Sequence, residues 1–228
     1  MNIQDNYKAI QHTIQTTCQR VGRNPEQINV IAVTKYVSVQ RAKAALEAGV
    51  RHLGENRDDG LNEKVKELGN DPIWHFIGSL QTRKVKNIID KVDFIHSLDR
   101  LSLAKEIEKR SSKPMKCFVQ VNASGEKSKH GCSPEELVDF IKQLTHYQHI
   151  QVVGLMTMAP NTEDKEVIRN CFKKVRQLQH DVQALQLPSA PCHELSMGMS
   201  NDYEIAIEEG ATYIRIGTSL VGNETGGV

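Results

Sequence analysis

Eight short runs rich in β-branched and apolar residues recur along the chain, each followed by a longer polar-faced stretch, and this alternation restricts the fold more than any other feature. The runs are INVIAVT (28–34), RHLGE (51–55), IWHFIG (73–78), DFIHSL (93–98), MKCFVQVN (115–122), VVGLMTM (152–158), HELSM (193–197) and TYIRIG (212–217). Between them lie segments such as SVQRAKAALEAG, RLSLAKEIEKR, SPEELVDFIKQL and DKEVIRNCFKKVRQLQHDVQAL. Their apolar residues fall near i, i+3, i+4 and i+7, the spacing of amphipathic helices. Strand–helix units in series are the pattern of an α/β protein with a parallel sheet. Sustained through eight units, the pattern favours closure into a (β/α)8 TIM barrel over an open doubly wound sheet. A chain of 228 residues suffices for one such barrel. No Pro/Gly/Ser-rich linker divides it, so residues 1–228 are expected to form a single domain with an extra helix at the N-terminus.

The balance of 29 Lys+Arg against 28 Asp+Glu leaves a net charge of +1, which supplies no field to recruit nucleic acid or an anionic membrane. The N-terminal sequence lacks the basic start and apolar run of a signal peptide, and no stretch reaches the roughly 20 apolar residues of a membrane span. A cytoplasmic location is the expectation. Cys18, Cys117, Cys132, Cys171 and Cys192 are odd in number, scattered, and without metal-ligand spacing to histidine. They read as reduced thiols used mainly for packing.

In a barrel of this kind chemistry is built on the loops leaving the carboxyl ends of the strands. Lys35 follows INVIAVT directly and should stand at the rim of that mouth, where an apolar setting would make its amine a better nucleophile. On its own it reads more readily as a solvated lysine capping a strand or helix. The loops after the last two strands, SMGMSND and GTS, carry Ser196, Ser200, Gly198, Gly217, Thr218 and Ser219. Hydroxyls and permissive backbone at that place in a barrel suit a phosphate, although helix capping by Ser200 or Asn201 explains the first loop alone and a simple turn at Gly217 the second. Arg215 lies inside the last run, where alternation sets it on one face with Tyr213 and Gly217. A guanidinium buried there needs an acceptor: a carboxylate such as Glu55 or Glu194, a carbonyl, or a ring nitrogen. Asn56 and Gln81 are further polar candidates at the mouth, and His75 reads as a satisfied core histidine. The loop 124–131, with Lys127, Lys129 and His130, reads as a cover for the mouth or as a solvated loop.

Together, AVTK (32–35), HLGEN (52–56), WHFIGSLQ (74–81), SMGMSND (196–202) and RIGT (215–218) resemble the pyridoxal-phosphate homeostasis family, the YggS/PROSC group. That family is similar in fold to the N-terminal barrel domain of alanine racemase, the fold-type III pyridoxal-phosphate barrel. The resemblance implies that Lys35 carries pyridoxal 5'-phosphate as an internal aldimine and that Arg215 approaches the pyridine nitrogen. It further implies that Ser200, Gly217 and Thr218 hold the phosphate, that Met197 and Gly198 line the approach, and that Asn56 sits near the ring. Two positions depart from the common pattern, Ser79 where proline is frequent and Thr34 where serine is frequent; neither removes a ligand.

The implied role is a non-catalytic, monomeric carrier that holds the cofactor and delivers it to apo-enzymes needing it, with no nucleic-acid or membrane partner. A fold-type III amino-acid racemase is the first alternative. Racemases of this fold are understood to take a second acid/base, a tyrosine, from a C-terminal β domain of a partner chain, and this sequence ends at Val228, soon after the eighth run. A barrel enzyme using Lys35 as a Schiff-base lysine on a sugar phosphate is the second alternative.

Overall fold

Each of the eight runs forms a strand in the computed structural model, which describes residues 2–126 and 130–224. The strands are β1 (Asn29–Val33), β2 (His52–Glu55), β3 (Ile73–Phe76), β4 (Phe94–Leu98), β5 (Met115–Gln120), β6 (Ile150–Met156), β7 (Glu194–Met199) and β8 (Tyr213–Ile216). They pair in sequence order, all parallel, and β8 returns to β1 through registers such as Ile31 with Arg215, closing the barrel. Every run loses one or two residues at one or both ends, and two strands extend beyond theirs. β6 begins at Ile150 because that residue pairs with Met115, and β7 runs on to Met199 across a register shift against β8 between Ser196 and Met199.

A helix follows every strand: α2 (Val39–Glu47), α3 (Asp58–Leu68), α4 (Val85–Ile88), α5 (Leu101–Arg110), α6 (Leu137–Leu144), α7 (Lys165–Ala184), α8 (Tyr203–Glu208) and α9 (Thr218–Val221). Before them stands the extra helix α1 (Ile3–Val21), started by the Asn2 side chain accepting from Gln4 N–H and stopped by Gly22 at φ 68°. Its buried stripe, Ile3, Ile10, Ile14, Thr17 and Cys18, packs on α8 and α9. Asn6 donates to the Leu220 carbonyl and Arg23 to that of Ile207. The helix thus braces the last units of the barrel.

Strand alternation divides the core into two layers. Ile31, Phe94, Phe118, Met156 and Tyr213 fill the barrel interior, while Ala32, Leu53, Phe172, Met197 and Ile214 belong to the larger layer between sheet and helices. All five cysteines are free thiols, as expected. Among the described residues no helix is long and apolar enough to cross a membrane, and no group of His, Cys, Asp or Glu is arranged to hold a metal ion.

Candidate functional site

At the end of β1 the chain is pinned from outside the barrel. Thr34 is fully buried and its hydroxyl donates to Glu55 Oε1 at 2.6 Å, and the same oxygen accepts from Lys64 Nζ of α3 at 3.0 Å. Glu55 and Lys64 are both almost wholly buried, so each charge depends on the other. On the far side of the loop, Ser38 N–H and Oγ both bind the Glu224 carboxylate, at 2.5 and 3.0 Å. Lys35 sits between these two anchors. The apolar setting expected for it is not found: its side chain is exposed, and its nearest aromatic partner is the exposed Tyr36, whose ring centroid lies 4.8 Å from Nζ.

Asn56 follows β2. Its Oδ1 is buried and makes no hydrogen bond, a condition shared only with Thr17 Oγ1 and Ser97 Oγ among the buried side-chain atoms described. An orphaned buried acceptor is costly unless a ligand donor completes it. The backbone of Asn56 is held by the next loop, where Gly78 has no room for a side chain: a Cβ would lie 2.4 Å from the Asn56 carbonyl oxygen. Gln81 is exposed and its Oε1 is occupied by Arg83 Nε at 3.0 Å.

Arg215 is 5% exposed, and its acceptors are not the carboxylates considered from sequence. Nη1 donates to the Ser196 carbonyl at 2.8 Å and to Ser196 Oγ at 2.7 Å, and Nη2 donates to the Thr157 carbonyl at 2.8 Å. Glu55 is taken by Lys64, and Glu194 lies at the opposite end of β7 from the mouth. Burial pulls the Arg215 pKa down to about 10, with Asp202 opposing the shift, so the guanidinium stays charged near neutrality. These three bonds leave Nε without a partner among the described residues.

The last two loops meet as expected. Ser219 Oγ lies 2.9 Å from Ser200 Oγ, and Thr218 Oγ1 lies 3.2 Å from Asn223 Oδ1. Ser219 and Thr218 are exposed, while Ser200 and Gly217 are half-buried. A Cβ on Gly217 would find only Val33 within contact range, at 3.8 Å, so the space above this turn is open. The helix after SMGMSND starts at Tyr203 rather than near Asn201; Asp202 stands at its N-cap without a side-chain capping bond, its Oδ1 accepting instead from the preceding Met199 N–H.

Two residues assigned to the approach lie elsewhere. The Met197 side chain is fully buried in the layer between sheet and helices, on the opposite strand face from Ser196. Gly198, at φ 92°, turns its missing side chain toward α8, where a Cβ would lie 2.5 Å from Ala206 Cβ. It is a close-packing position. In the loop 124–131, Lys127 and Lys129 lie outside the described residues; the His130 carbonyl accepts from Gln120 Nε2 at 3.2 Å.

One group escaped the sequence reading. His52, His75 and His96, from three successive strands, are hydrogen-bonded to one another inside the barrel. The signal was present in the alternation, since each falls on an inward position, but no local motif joins them.

The residues 6–225 match the family described as alanine racemase, N-terminal domain. The chain is 39% identical to the pyridoxal phosphate homeostasis protein of Aquifex aeolicus, covering 97% of this chain and 98% of that protein. It is 33% identical to the protein of that name from Escherichia coli K12, covering 97% and 96%. The chain therefore belongs to the alanine racemase N-terminal-domain family and, within it, to the pyridoxal phosphate homeostasis proteins. Among solved structures, PipY of Synechococcus elongatus with pyridoxal phosphate bound superposes with a TM-score of 0.80 at 32% identity, covering 92% of this chain and 100% of that one. An alanine racemase of Clostridium difficile shares the fold at TM-score 0.78 and 17% identity, and there the match covers 57% of the racemase chain.

Proposed function

We propose that this protein is a single-domain, monomeric, cytoplasmic holder of pyridoxal 5'-phosphate that carries the cofactor on Lys35 and releases it to apo-enzymes that require it. The observation that carries the reading is the fit of the mouth to such a molecule. A buried acceptor on Asn56 lacks a donor, Arg215 keeps Nε uncommitted, and the Ser200, Gly217 and Thr218 turn opens onto free space. When bound, the cofactor supplies an aldehyde that condenses with an amine. The exposed Lys35 amine is open to an aldehyde arriving from solvent, and the Thr34–Glu55–Lys64 anchor fixes where that amine stands. Ser200, Gly217 and Thr218 would bind the phosphate, Asn56 would meet the ring, and Arg215 would face the ring nitrogen.

A fixed guanidinium beside a pyridine nitrogen disfavours ring protonation and so weakens the ring as an electron sink. It limits the chemistry without excluding turnover. The homeostasis relatives also carry their name over a length matching this chain, at 98% coverage for the Aquifex protein. The test is to add pyridoxal phosphate to the purified protein and reduce with borohydride. The cofactor should be found on the peptide containing Lys35, and a visible band should form that Lys35→Ala lacks. Turnover of alanine or another amino acid with kcat on the order of 1 to 10³ s⁻¹ would overturn the holding role.

A further inference from the structure

Inside the barrel a line of hydrogen bonds runs up to Arg215 through groups that cofactor holding does not itself require. His52, the first residue of β2, brings Nδ1 to 2.9 Å from His75 Nε2. His75 Nδ1 lies 2.8 Å from His96 Nε2, and His96 Nδ1 lies 2.9 Å from Ser196 Oγ. That same hydroxyl oxygen accepts from Arg215 Nη1 at 2.7 Å. His75, His96 and Ser196 are fully buried, whereas His52 is half-buried at the strand-start end of the barrel. Aromatic faces sheathe the line: His75 stacks on Phe94 at 4.6 Å and His96 on Phe118 at 4.3 Å. Bonding is thereby confined to the ring nitrogens in the imidazole planes.

Donor counting gives the line a direction. A neutral imidazole has one N–H and one bare nitrogen, so neighbouring rings in a chain must point the same way. Ser196 Oγ already accepts from Arg215, and among the described residues His96 Nδ1 is the acceptor within reach of its hydroxyl proton. The serine therefore donates to His96, which places the His96 proton on Nε2 toward His75 and the His75 proton on Nε2 toward His52. We propose that His52, His75, His96 and Ser196 form a positioning relay for Arg215, holding the Ser196 lone pairs on the guanidinium and tying its placement to the protonation of His52. The functional part of the proposal rests on Arg215 facing the cofactor.

A second proton on His52 would occupy Nδ1 and meet the His75 N–H head on. The line can accommodate it only with His75 and His96 each carrying the proton on Nδ1 instead of Nε2. One proton is then taken from solvent and none is lost elsewhere. In that state His96 and Arg215 both donate to Ser196 Oγ, and the serine proton loses its acceptor. Burial opposes charge on His52 while Asp93 favours it. His96, His52 and Lys116 surround His75, and Arg215 faces His96. Tyr213, against the rings of His52, His75 and His96, stays neutral because burial, aided by Glu194, pushes it up to about 12.

The test begins with ring-nitrogen NMR of histidine-labelled wild-type protein without cofactor near neutral pH. His75 and His96 should both appear as Nε2–H tautomers with slowly exchanging protons; Nδ1–H tautomers, or rapidly exchanging mixtures, would overturn the relay. Ser196→Ala, which removes the donor that sets the direction, should turn both into mixtures; unchanged tautomers in Ser196→Ala would also overturn it. With pyridoxal phosphate added, acidification that protonates His52 should shift the visible band of wild-type protein but not that of Ser196→Ala, and Ser196→Ala should weaken binding roughly tenfold, the scale of a lost hydrogen bond to a charged group. Unaltered affinity and pH profile in Ser196→Ala would reject the positioning role. Wild-type protein that shows the expected tautomers but takes up no cofactor would refute the holding function and leave the hydrogen-bonded line intact.

Discussion

The interior of the barrel and its mouth use polar side chains to opposite ends. Inside, every nitrogen of His75 and His96 is matched to a protein partner at 2.8 to 2.9 Å. At the mouth, Lys35 is exposed, Asn56 Oδ1 is unmatched, and Ser219 and Thr218 are exposed, their hydroxyls touching, among the described residues, only Ser200 and Asn223 of the same rim. A buried polar group without a partner costs stability, so the interior must be complete as folded, whereas groups at the rim can wait for a ligand. The difference separates residues whose loss should be read in stability from those whose loss should be read in binding.

Lys35→Ala gives the largest contrast. Covalent attachment of pyridoxal phosphate should vanish, seen as no cofactor on the reduced protein, while the unfolding free energy should stay within about 0.5 kcal/mol of wild type because the side chain is exposed. Persisting attachment would move the anchor to another lysine. Glu55→Ala should behave oppositely. It leaves Lys64 buried without its partner and Thr34 without its acceptor, so a destabilisation of about 3 to 5 kcal/mol is expected in denaturant unfolding. A loss below about 1 kcal/mol would show that water reaches Lys64 and that the anchor beneath Lys35 is loose.

The interior should also make stability depend on pH. Burial first, then neighbouring positive charge, holds His75 and His96 well below the usual histidine range, so both are neutral when folded. In the unfolded chain they protonate near about pH 6.5. Below that value the unfolded state binds more protons than the native one, so this contribution is complete above about 6.5 and is lost as pH falls. Each such histidine can add up to about 1.4 kcal/mol per pH unit to the slope before carboxylates begin to titrate near about 4. Unfolding measured from neutrality down to about pH 4.5 should show this decline, and His75→Phe should reduce it. An equal slope in the variant would place the acid sensitivity elsewhere.

The barrel was legible because its information is local and periodic: alternation marks the strands, and 3.6-residue spacing marks the helices between them. Lys35, Asn56 and the Ser200–Thr218 turn were legible as mouth residues because they follow strands directly. Met197 was misplaced because its motif neighbours suggested a ligand, while the strand period turns it away from the interior occupied by Ser196. The partners of Arg215 were hidden for another reason. Two are backbone carbonyls, of Ser196 and Thr157, and which carbonyls a guanidinium reaches depends on register across β6, β7 and β8. The histidine line depends on register in the same way, across four strands.

The finest comparison sets Ser200 against Ser196, which lie on one short stretch of chain but face different surroundings. Ser196 is fully buried and joins His96 to Arg215, whereas Ser200 is half-buried and touches the exposed Ser219 hydroxyl at 2.9 Å. Removing the Ser200 hydroxyl leaves no buried group unpaired, so Ser200→Ala should keep stability within about 0.5 kcal/mol of wild type. If Ser200 holds the phosphate, the same change removes one ligand hydrogen bond worth about 1 kcal/mol and weakens pyridoxal phosphate binding about fivefold. Spectroscopic titration of the two proteins side by side reads that difference. Equal affinities would shift the phosphate onto the backbone and hydroxyl of the Gly217–Thr218 turn and leave Ser200 as a surface residue. A fall in stability without a fall in affinity would instead assign Ser200 to the packing of the loop, with the interior rather than the mouth.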